Sequence, residues 1–366
     1  MPIRLLVISN YKDYHTTRPE AEIFKSLAKY KKFEIFIMTL RNSEHVPEFE
    51  AVGIKIIDFH PQKKNDKLEI ARIRKELVDN NIDIVHLFNS KAIYNGTKAA
   101  KGLKVKVVLY RGFSSNVNKL DPFANLKFMN PRVDKILCNS IGVAEHLHKQ
   151  PFFDKSKTVV IHKGHDVSWY ENIVPANIRA ELGVSSDSLL LVNVANNRKM
   201  KGIPYLLKAI VNLPKDADVH LLLVGRDMDT KENLKIVEQG GVKDKIHFMG
   251  FRKDALNIVA GSDAFVLPSI FGESITKSVL EAMSLGVAPI ISDIRGNFEL
   301  LEDTVSGLVF ESKNVKDLSQ KIMKLYNDRS LCKEFGKNAQ LRIKNVLNNE
   351  QTVLKIKDFY EQIIDS

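Results

Sequence analysis

Short apolar runs alternate with helix-like segments along the first part of the chain. The runs have the length of β-strands and lie at 3–9, 33–38, 54–58, 84–87, 104–110 and 135–138. The segments between them predict helices at about 19–31, 68–80, 91–101, 122–129 and 141–149. Pro19 is expected to open the first helix, because proline suits the first helical position. Strands that alternate with helices predict a parallel sheet covered on both faces.

A second series of the same kind follows. It predicts strands at 189–194, 218–224, 246–248, 264–267 and 288–292, with helices at 204–212, 232–238, 254–260 and 315–327. At 366 residues the chain is also too long for one ordinary core. We therefore expect an α/β protein of two Rossmann-like, doubly wound parallel-sheet domains, with bounds at 1–165 and 166–348. A last helix over 350–365 carries apolar residues at helical spacing.

The stretch from Phe271 to Phe310 holds the most informative residues. Ser274 and Thr276 suit the start of a helix, and Gly286 suits its end before the strand at 288–292. Such a helix start offers unpaired backbone amides and partial positive charge to a diphosphate. The amides of Ile275 and Thr276, next to Gly272, are the expected donors.

Two glutamates frame this helix start. Glu281 lies about six residues along the helix, roughly 9 Å at a rise of ~1.5 Å per residue. That distance suits a carboxylate that accepts hydrogen bonds from the ribose of a nucleotide. Glu273 precedes the first turn, so we expect it beside the sugar that the diphosphate carries.

The stretch resembles the donor-site signature of the retaining group 1 (family 4) glycosyltransferases, in which two glutamates flank seven residues. Glu273 and Glu281 match both glutamates. The other matching positions are Phe271, Gly272, Ala282, Met283, Gly286, Pro289, Asp293, Gly296, Glu299 and Gly307. The resemblance implies a GT-B fold, whose two domains face a central cleft, and a terminal helix at 349–366 that crosses back to the N-terminal domain. It also implies that transfer retains the anomeric configuration.

A basic turn follows the first strand of the second series. Family members usually carry an arginine there, followed by Lys-Gly. In this chain Lys201-Gly202 match, whereas Asn196 stands at the arginine's place and Arg198 lies two residues further on. We expect Lys201 and Arg198 to contact the diphosphate, with a solvated basic turn as the alternative.

Polar residues follow the strands of the first domain, where ligands bind in parallel sheets. Asn10, Arg111 and Asn139 are the candidates for the acceptor side, and His86 is a candidate for supporting the reacting sugar, as a histidine does in relatives. Two features depart from the family pattern. The Gly-Gly pair after the first strand is replaced by Asn10-Tyr11-Lys12, and Phe88 stands where a second histidine is often found.

The net charge of the chain indicates what kind of partner the protein binds. The net charge of +11 and a pI near 9.3 indicate an anionic partner, which could be a nucleotide sugar, an anionic membrane surface or nucleic acid. Nucleic acid is not expected, because basic and aromatic residues do not interleave in any recognisable motif. Asp227-Met228-Asp229 lies in a loop of the wrong fold for a metal-binding Asp-x-Asp, so we expect no metal and no cofactor.

No apolar run approaches the ~18–20 residues that span a bilayer, and Met1 leads directly into a strand. We therefore expect a cytoplasmic protein, with attachment to the inner face of the cytoplasmic membrane as a further expectation. Cys138 and Cys332 are expected to be reduced thiols.

These features predict a retaining glycosyltransferase. It would move a sugar from a nucleotide diphosphate donor to a glycan or lipid-linked acceptor in the synthesis of cell-surface polysaccharide or lipopolysaccharide. One alternative is a nucleotide-sugar epimerase or sugar phosphorylase of the same fold. Another is a non-catalytic protein that binds an anionic partner.

Overall fold

A computed structural model describes residues 1–113 and 127–365. The chain forms two compact units. The first comprises Met1–Gly164 together with the C-terminal segment from Asn349, and the second comprises His165–Asn348.

The first unit is built on a parallel sheet in the order β3-β2-β1-β4-β5-β6-β7. Its strands are β1 (Ile3–Ile8), β2 (Phe33–Thr39), β3 (Lys55–Asp58), β4 (Ile84–Leu87), β5 (Lys106–Arg111), β6 (Lys135–Cys138) and β7 (Thr158–Val160). The helices are α1 (Tyr14–Leu27), α2 (Val46–Ala51), α3 (Lys67–Asp79), α4 (Ser90–Ala99), α5 (Ile141–His148) and, from the end of the chain, α14 (Asn349–Asp365).

Both faces of this sheet are covered, which explains why its strands are continuous apolar runs. One face packs against α3, α4 and α5. The other packs against α1 and against α14, which contributes Val353, Ile356 and Phe359 to the same buried cluster as Leu5 of β1. The C-terminal helix is therefore part of the first unit's core.

The first helix begins earlier than the sequence predicts. It starts at Tyr14, and the carboxylate of Asp13 accepts a hydrogen bond from the amide of Thr16. Pro19 therefore lies inside the helix, and the prediction that it opens the helix is wrong. An aspartate cap satisfies an amide that would otherwise have no partner, and this start signal lies well upstream of the proline. Of the helix predicted at 122–129, residues 122–126 lie outside the described residues, and Lys127 and Phe128 are helical.

The second unit has a parallel sheet in the order β10-β9-β8-β11-β12-β13. Its strands are β8 (Leu189–Val194), β9 (Val219–Val224), β10 (Ile246–Gly250), β11 (Ala264–Leu267), β12 (Ala288–Ser292) and β13 (Leu308–Phe310). The helices are α6 (Ile178–Leu182), α7 (Ile203–Val211), α8 (Lys231–Gly240), α9 (Ala255–Ala260), α10 (Lys277–Ser284), α11 (Arg295–Phe298), α12 (Val315–Asn327) and α13 (Ser330–Asn345).

The prediction of two parallel-sheet α/β domains is confirmed. Helix α13 is an addition that the sequence reasoning did not predict. It packs closely on the loop that ends α10, where a Cβ on Gly336 would lie 1.9 Å from the carbonyl oxygen of Gly286. Among the described residues, no helix is both long and apolar enough to cross a membrane.

Candidate active site

Three loops meet at the carboxyl ends of neighbouring strands in the second unit. They follow β8, β11 and β12, and the sheet order changes direction at β8 and β11, where ligands bind in open α/β sheets. The amide of Ile270 donates to the carbonyl of Met200 at 2.8 Å, and the hydroxyl of Ser292 donates to the carbonyl of Ser269 at 2.6 Å. These bonds fix the loops to one another.

Glycine permits the closest approach between two of these loops. Gly202 has φ +66°, and a Cβ there would lie 2.0 Å from the carbonyl oxygen of Pro268. Only glycine combines this left-handed backbone with such a contact. The match between Gly202 and the family pattern therefore has a local physical reason, which is the packing that brings Lys201 against the loop after β11.

Glu273 is held by side chains from its own loop and from the loop after β8. Its carboxylate forms an ion pair with the ammonium of Lys201 and accepts hydrogen bonds from the hydroxyls of Ser269 at 2.9 Å and Thr276 at 3.2 Å. The side chains of Glu273 and Lys201 are 10% and 16% exposed. A carboxylate with this many partners has a fixed position, which is what a group that contacts a reacting sugar requires.

Backbone amides cluster beside this carboxylate. Helix α10 begins at Lys277, later than predicted, and Thr276 is its N-cap residue without a side-chain cap bond. Among the described residues, no acceptor is found for the four successive amides of Ile275, Thr276, Lys277 and Ser278. A row of unpaired amides at a helix start is suited to bind an anion. Ile275 and Thr276, the expected donors, precede the helix, and their amides are among these four.

Buried contacts fix the turn that carries these amides. Ser274 is buried, and Gly296 packs against it so closely that a Cβ would lie 2.4 Å from the Cα of Ser274. The hydroxyl of Thr276 lies 2.9 Å from the side-chain oxygen of buried Asn297. The residues that follow β12 therefore pack against this turn and fix its position. Gly272, with φ +77°, provides the bend that precedes Glu273.

Glu281 lies one turn into helix α10. Its carboxylate forms an ion pair with the ammonium of Lys277, four residues earlier, and the Glu281 side chain is 15% exposed. At a helical rise of ~1.5 Å per residue, the three to six residues between these amides and Glu281 correspond to roughly 4.5–9 Å. This range includes the ~9 Å expected between a diphosphate and a ribose, and the role of Glu281 at the ribose stays a prediction.

The remaining residues of the basic turn are less constrained. Arg198 is exposed and precedes the short 3₁₀ helix Lys199–Lys201, and Asn196 is exposed at the start of the same loop. Neither side chain is brought to Glu273. The start of this turn packs against Gly225, because a Cβ at Gly225 would lie 1.6 Å from the carbonyl oxygen of Ala195.

The candidate residues of the first unit fall in different surroundings. Asn10 is exposed, and its side-chain oxygen accepts from the amide of Lys12 at 3.2 Å. Arg111 and Asn139 are buried neighbours, and the amide of Asn139 donates to the carbonyl of Arg111 at 3.2 Å. Burial lowers the pKa of Arg111 to about 10, at which it stays charged near neutral pH.

His86 is buried in the core of the first unit. Its Nδ1 lies 2.6 Å from the hydroxyl of Tyr360 on α14, and its ring packs against Phe24 and Phe88. Burial, and then the charge of Lys163, lower the pKa of His86 to about 3, so the imidazole is neutral. Beside it is a small cavity lined by apolar and aromatic side chains and by Lys163.

Three contributors were missed by the sequence reasoning. Ser269, in the loop after β11, contacts Glu273, and Asn297 of α11 contacts Thr276; Lys277 is the partner of Glu281. Only Ser269 carried a signal in the sequence, which is its position shortly after a strand. Among the described residues, no group of His, Cys, Asp and Glu side chains could hold a metal ion.

Two family models match the chain. The model for glycosyl transferases group 1 matches residues 175–342, and the model for glycosyltransferase family 4 matches residues 21–169. Together they cover most of the chain and both compact units.

Two characterised relatives align over most of their length. The chain is 26% identical to N,N'-diacetylbacillosaminyl-diphospho-undecaprenol alpha-1,3-N-acetylgalactosaminyltransferase of Campylobacter jejuni, over 89% of each chain. It is 27% identical to UDP-Gal:alpha-D-GlcNAc-diphosphoundecaprenol alpha-1,3-galactosyltransferase of Escherichia coli, over 82% of this chain and 80% of the relative.

A solved structure supports the same fold. The crystal structure of Anabaena Alr3699/HepE in complex with UDP superposes with a TM-score of 0.78 at 19% identity, over 99% of this chain and all of that one. The matched models, the relatives and the shared fold agree. The chain belongs to the group 1 (family 4) glycosyltransferases and has their GT-B fold.

Proposed function

We propose that this protein is a retaining glycosyltransferase that moves a sugar from a nucleotide diphosphate donor to a glycan or lipid-linked acceptor. The product would be cell-surface polysaccharide or lipopolysaccharide. The observation that carries the proposal is the junction of the loops after β8 and β11. There, four amides that have no acceptor within the described part of the chain lie beside the ion pair of Lys201 and Glu273.

The amides and Lys201 are suited to bind the diphosphate. Negative charge grows on the leaving diphosphate as its bond to the sugar breaks. Donors that are already in place stabilise that charge without reorganising. The ammonium of Lys201 can form several hydrogen bonds, so it can contact a phosphate oxygen while it keeps Glu273 as a partner. Arg198 would reach the diphosphate from the exposed part of the same turn.

The two glutamates would hold the two ends of the donor. Glu281 would accept hydrogen bonds from the ribose, one helical turn from the amides. Glu273 would accept hydrogen bonds from the transferred sugar and stabilise positive charge at its anomeric carbon. In the proposed reaction the acceptor hydroxyl attacks on the face that the diphosphate leaves, and a phosphate oxygen takes the proton. The C–O bond to the acceptor forms as the C–O bond to the phosphate breaks.

The names of the relatives support the choice of substrates. Both characterised relatives act on sugars linked to undecaprenol through a diphosphate, and one of them uses UDP-galactose. The Anabaena protein binds UDP. A UDP-sugar and a prenyl-diphosphate-linked sugar are therefore the first substrates to test.

Product analysis tests the proposal against its alternatives. The protein would be incubated with radiolabelled UDP-, GDP- and ADP-sugars, with and without a prenyl-diphosphate-linked sugar, and the label followed by chromatography. We expect label on the acceptor only when acceptor is present. Label in an epimeric nucleotide sugar would indicate an epimerase, and label in a sugar 1-phosphate would indicate a phosphorylase. Donor that stays intact with every acceptor would favour a non-catalytic binding protein.

We further propose that the first unit attaches to anionic membrane surfaces. Lys29, Lys31 and Lys32 are exposed around Tyr30 at the end of α1. Attraction to acidic lipid weakens with salt, because the Debye length falls from ~10 Å at 0.1 M to ~3 Å at 1 M. Sedimentation with acidic vesicles should therefore decrease between these salt concentrations. Equal binding at both, or none at 0.1 M, would contradict this attachment.

A further inference from the structure

A second group of cations lies in the first unit around two aromatic rings. The ammonium groups of Lys64 and Lys127 lie 5.4 and 5.8 Å from the centre of the Tyr94 ring. The ammonium of Lys127 also lies 4.9 Å from the centre of the Phe128 ring, and the guanidinium carbon of Arg111 lies 4.8 Å from that same centre. Lys64 and Lys127 therefore share the Tyr94 ring, and Lys127 and Arg111 share the Phe128 ring.

Among the described residues, no carboxylate neutralises the two lysines. Within residues 1–113 and 127–365, neither Lys64 nor Lys127 has an acidic side chain within ion-pair distance, whereas Lys25 contacts both Glu22 and Glu48. The ammonium of Lys127 donates instead to the neutral hydroxyl of Ser90 at 3.1 Å.

Glu69, an acidic residue in the first turn of the neighbouring helix α3, already has hydrogen-bond partners. The carboxylate of Glu69 accepts from the backbone amides of Gln62 and Lys63 and from the side chain of Asn95. It is therefore held by the segment that carries Lys64 and does not serve as the counter-ion of Lys127.

The charges of this cluster oppose one another. Burial lowers the pKa of Lys127 to about 8, and the charges of Arg111 and Lys64 act in the same direction. Like charges that are gathered repel one another, and Lys127 and Arg111 are also partly removed from water. A bound anion reverses this balance, because it attracts all three groups.

The cluster lies where a parallel sheet binds its ligands. Ser90 opens α4 directly after β4, and Arg111 ends β5, the neighbouring strand. These carboxyl ends form the ligand-binding edge of a doubly wound domain. The carboxyl ends of β8 and β11, proposed above for the donor, belong to the other compact unit.

We propose that Lys64 and Lys127, with Arg111 beside them, bind the diphosphate group of a lipid-linked acceptor. This inference rests on the proposed function and names the part of the acceptor that the first unit recognises. Two ammonium groups beside the Tyr94 ring would each contact one phosphate of a diphosphate ester. Their flexible stems allow each to follow one phosphate.

Chemical labelling tests the site without relying on turnover. Pyridoxal phosphate carries an aldehyde, which condenses with an uncharged amine, and a phosphate, which directs it to an anion site. After reduction with borohydride, peptide mass spectrometry of the full chain should show faster labelling of Lys127 by pyridoxal phosphate than by pyridoxal. Exposed Lys98 on α4 is the internal control and should react equally with both reagents.

Protection experiments identify the source of the diphosphate. Geranyl diphosphate, a short prenyl diphosphate, should protect Lys127 from pyridoxal phosphate, whereas UDP should not. Lys64→Met should slow the labelling of Lys127, because it removes one of the two ammonium groups. Equal labelling by both aldehydes, no protection by geranyl diphosphate, or equal protection by UDP would overturn the assignment.

Kinetics provide the second readout. Lys127→Met and Lys64→Met should each raise the KM for a prenyl-diphosphate-linked acceptor about tenfold, since a charge-assisted contact is lost. Binding of UDP should be unchanged, and Lys98→Met should behave as wild type. An unchanged acceptor KM would contradict the proposal and leave the donor site untouched. Absence of turnover in the wild-type protein would instead count against the proposed function, while the labelling result would still stand.

Discussion

The ammonium of Lys201 is paired with the carboxylate of Glu273, across 72 residues of sequence. The contact joins the loop after β8 to the loop after β11. Because both side chains are largely buried, each restricts the position of the other. Glu273, which is proposed to contact the sugar, therefore fixes the position of Lys201 before a diphosphate binds.

Glu273→Gln should abolish most transfer while the fold persists. Glutamine has the same shape and can still accept from Lys201, but it cannot stabilise positive charge at the anomeric carbon. Loss of one preorganised group of this kind typically costs ~10²–10³ in rate. The measurements are kcat and the thermal midpoint, with exposed Glu334→Gln on α13 as the control. Near-normal turnover with an unchanged midpoint would end this assignment.

Lys201→Met should weaken binding of a nucleoside diphosphate, because a compact charge in a partly buried site is lost. Binding of the bare nucleoside should hardly change. Turnover should fall more than ground-state affinity, since the phosphates gain charge as the sugar departs. Lys199→Met, on the exposed side of the same 3₁₀ helix, is the matched control. Equal loss for nucleoside and nucleoside diphosphate would point to a folding defect.

Glu281→Gln should weaken nucleoside and nucleoside diphosphate to the same degree, by about tenfold, because a charge-assisted hydrogen bond to the ribose is lost. Lys277→Gln removes the ion-pair partner and leaves the carboxylate in place. It should retain nucleoside affinity in calorimetric titrations. If Lys277→Gln lost as much nucleoside affinity as Glu281→Gln, the pair would be structural and Glu281 would not be the ribose ligand.

The fold was predictable because its signal is local. Apolar runs of strand length alternate with helical periodicity in both halves, and the signature around Glu273 and Glu281 lies in one continuous stretch. Ser269 and Asn297 were not predictable as partners, because their contacts depend on how loops after different strands pack. The start of α1 was missed because the signal at Asp13 depends on a single side-chain hydrogen bond.

The burial of His86 could not be predicted from the neighbouring sequence either. Its place near the end of β4 suggested a ligand-facing side chain. The hydroxyl of Tyr360, 274 residues further along the chain, instead lies against its ring nitrogen. Only the packing of α14 on this face of the sheet reveals that the imidazole is buried.

His86 should make the stability of the first unit depend on pH. Its pKa is about 3 in the folded protein and 6.5 for a free histidine side chain, so the unfolded chain binds the proton first as pH falls. Stability is therefore full above pH 6.5 and declines below it. The expected loss is about 1.6 kcal/mol between pH 6.5 and pH 5, because the slope approaches its full value of about 1.4 kcal/mol per pH unit only below pH 6. In denaturant unfolding, His86→Gln should show a shallower decline, and an unchanged slope would contradict this.

The most direct test of the central claim is proton NMR of a running reaction. An α-linked UDP-sugar and a prenyl-diphosphate-linked sugar would be mixed with the wild-type protein, and with Glu273→Gln in parallel. With wild type, the account predicts that an α-anomeric signal of new glycoside grows in step with free UDP, and that both signals nearly vanish in the variant. A β-anomeric product, UDP release without glycoside, or equal rates for the two proteins would contradict it.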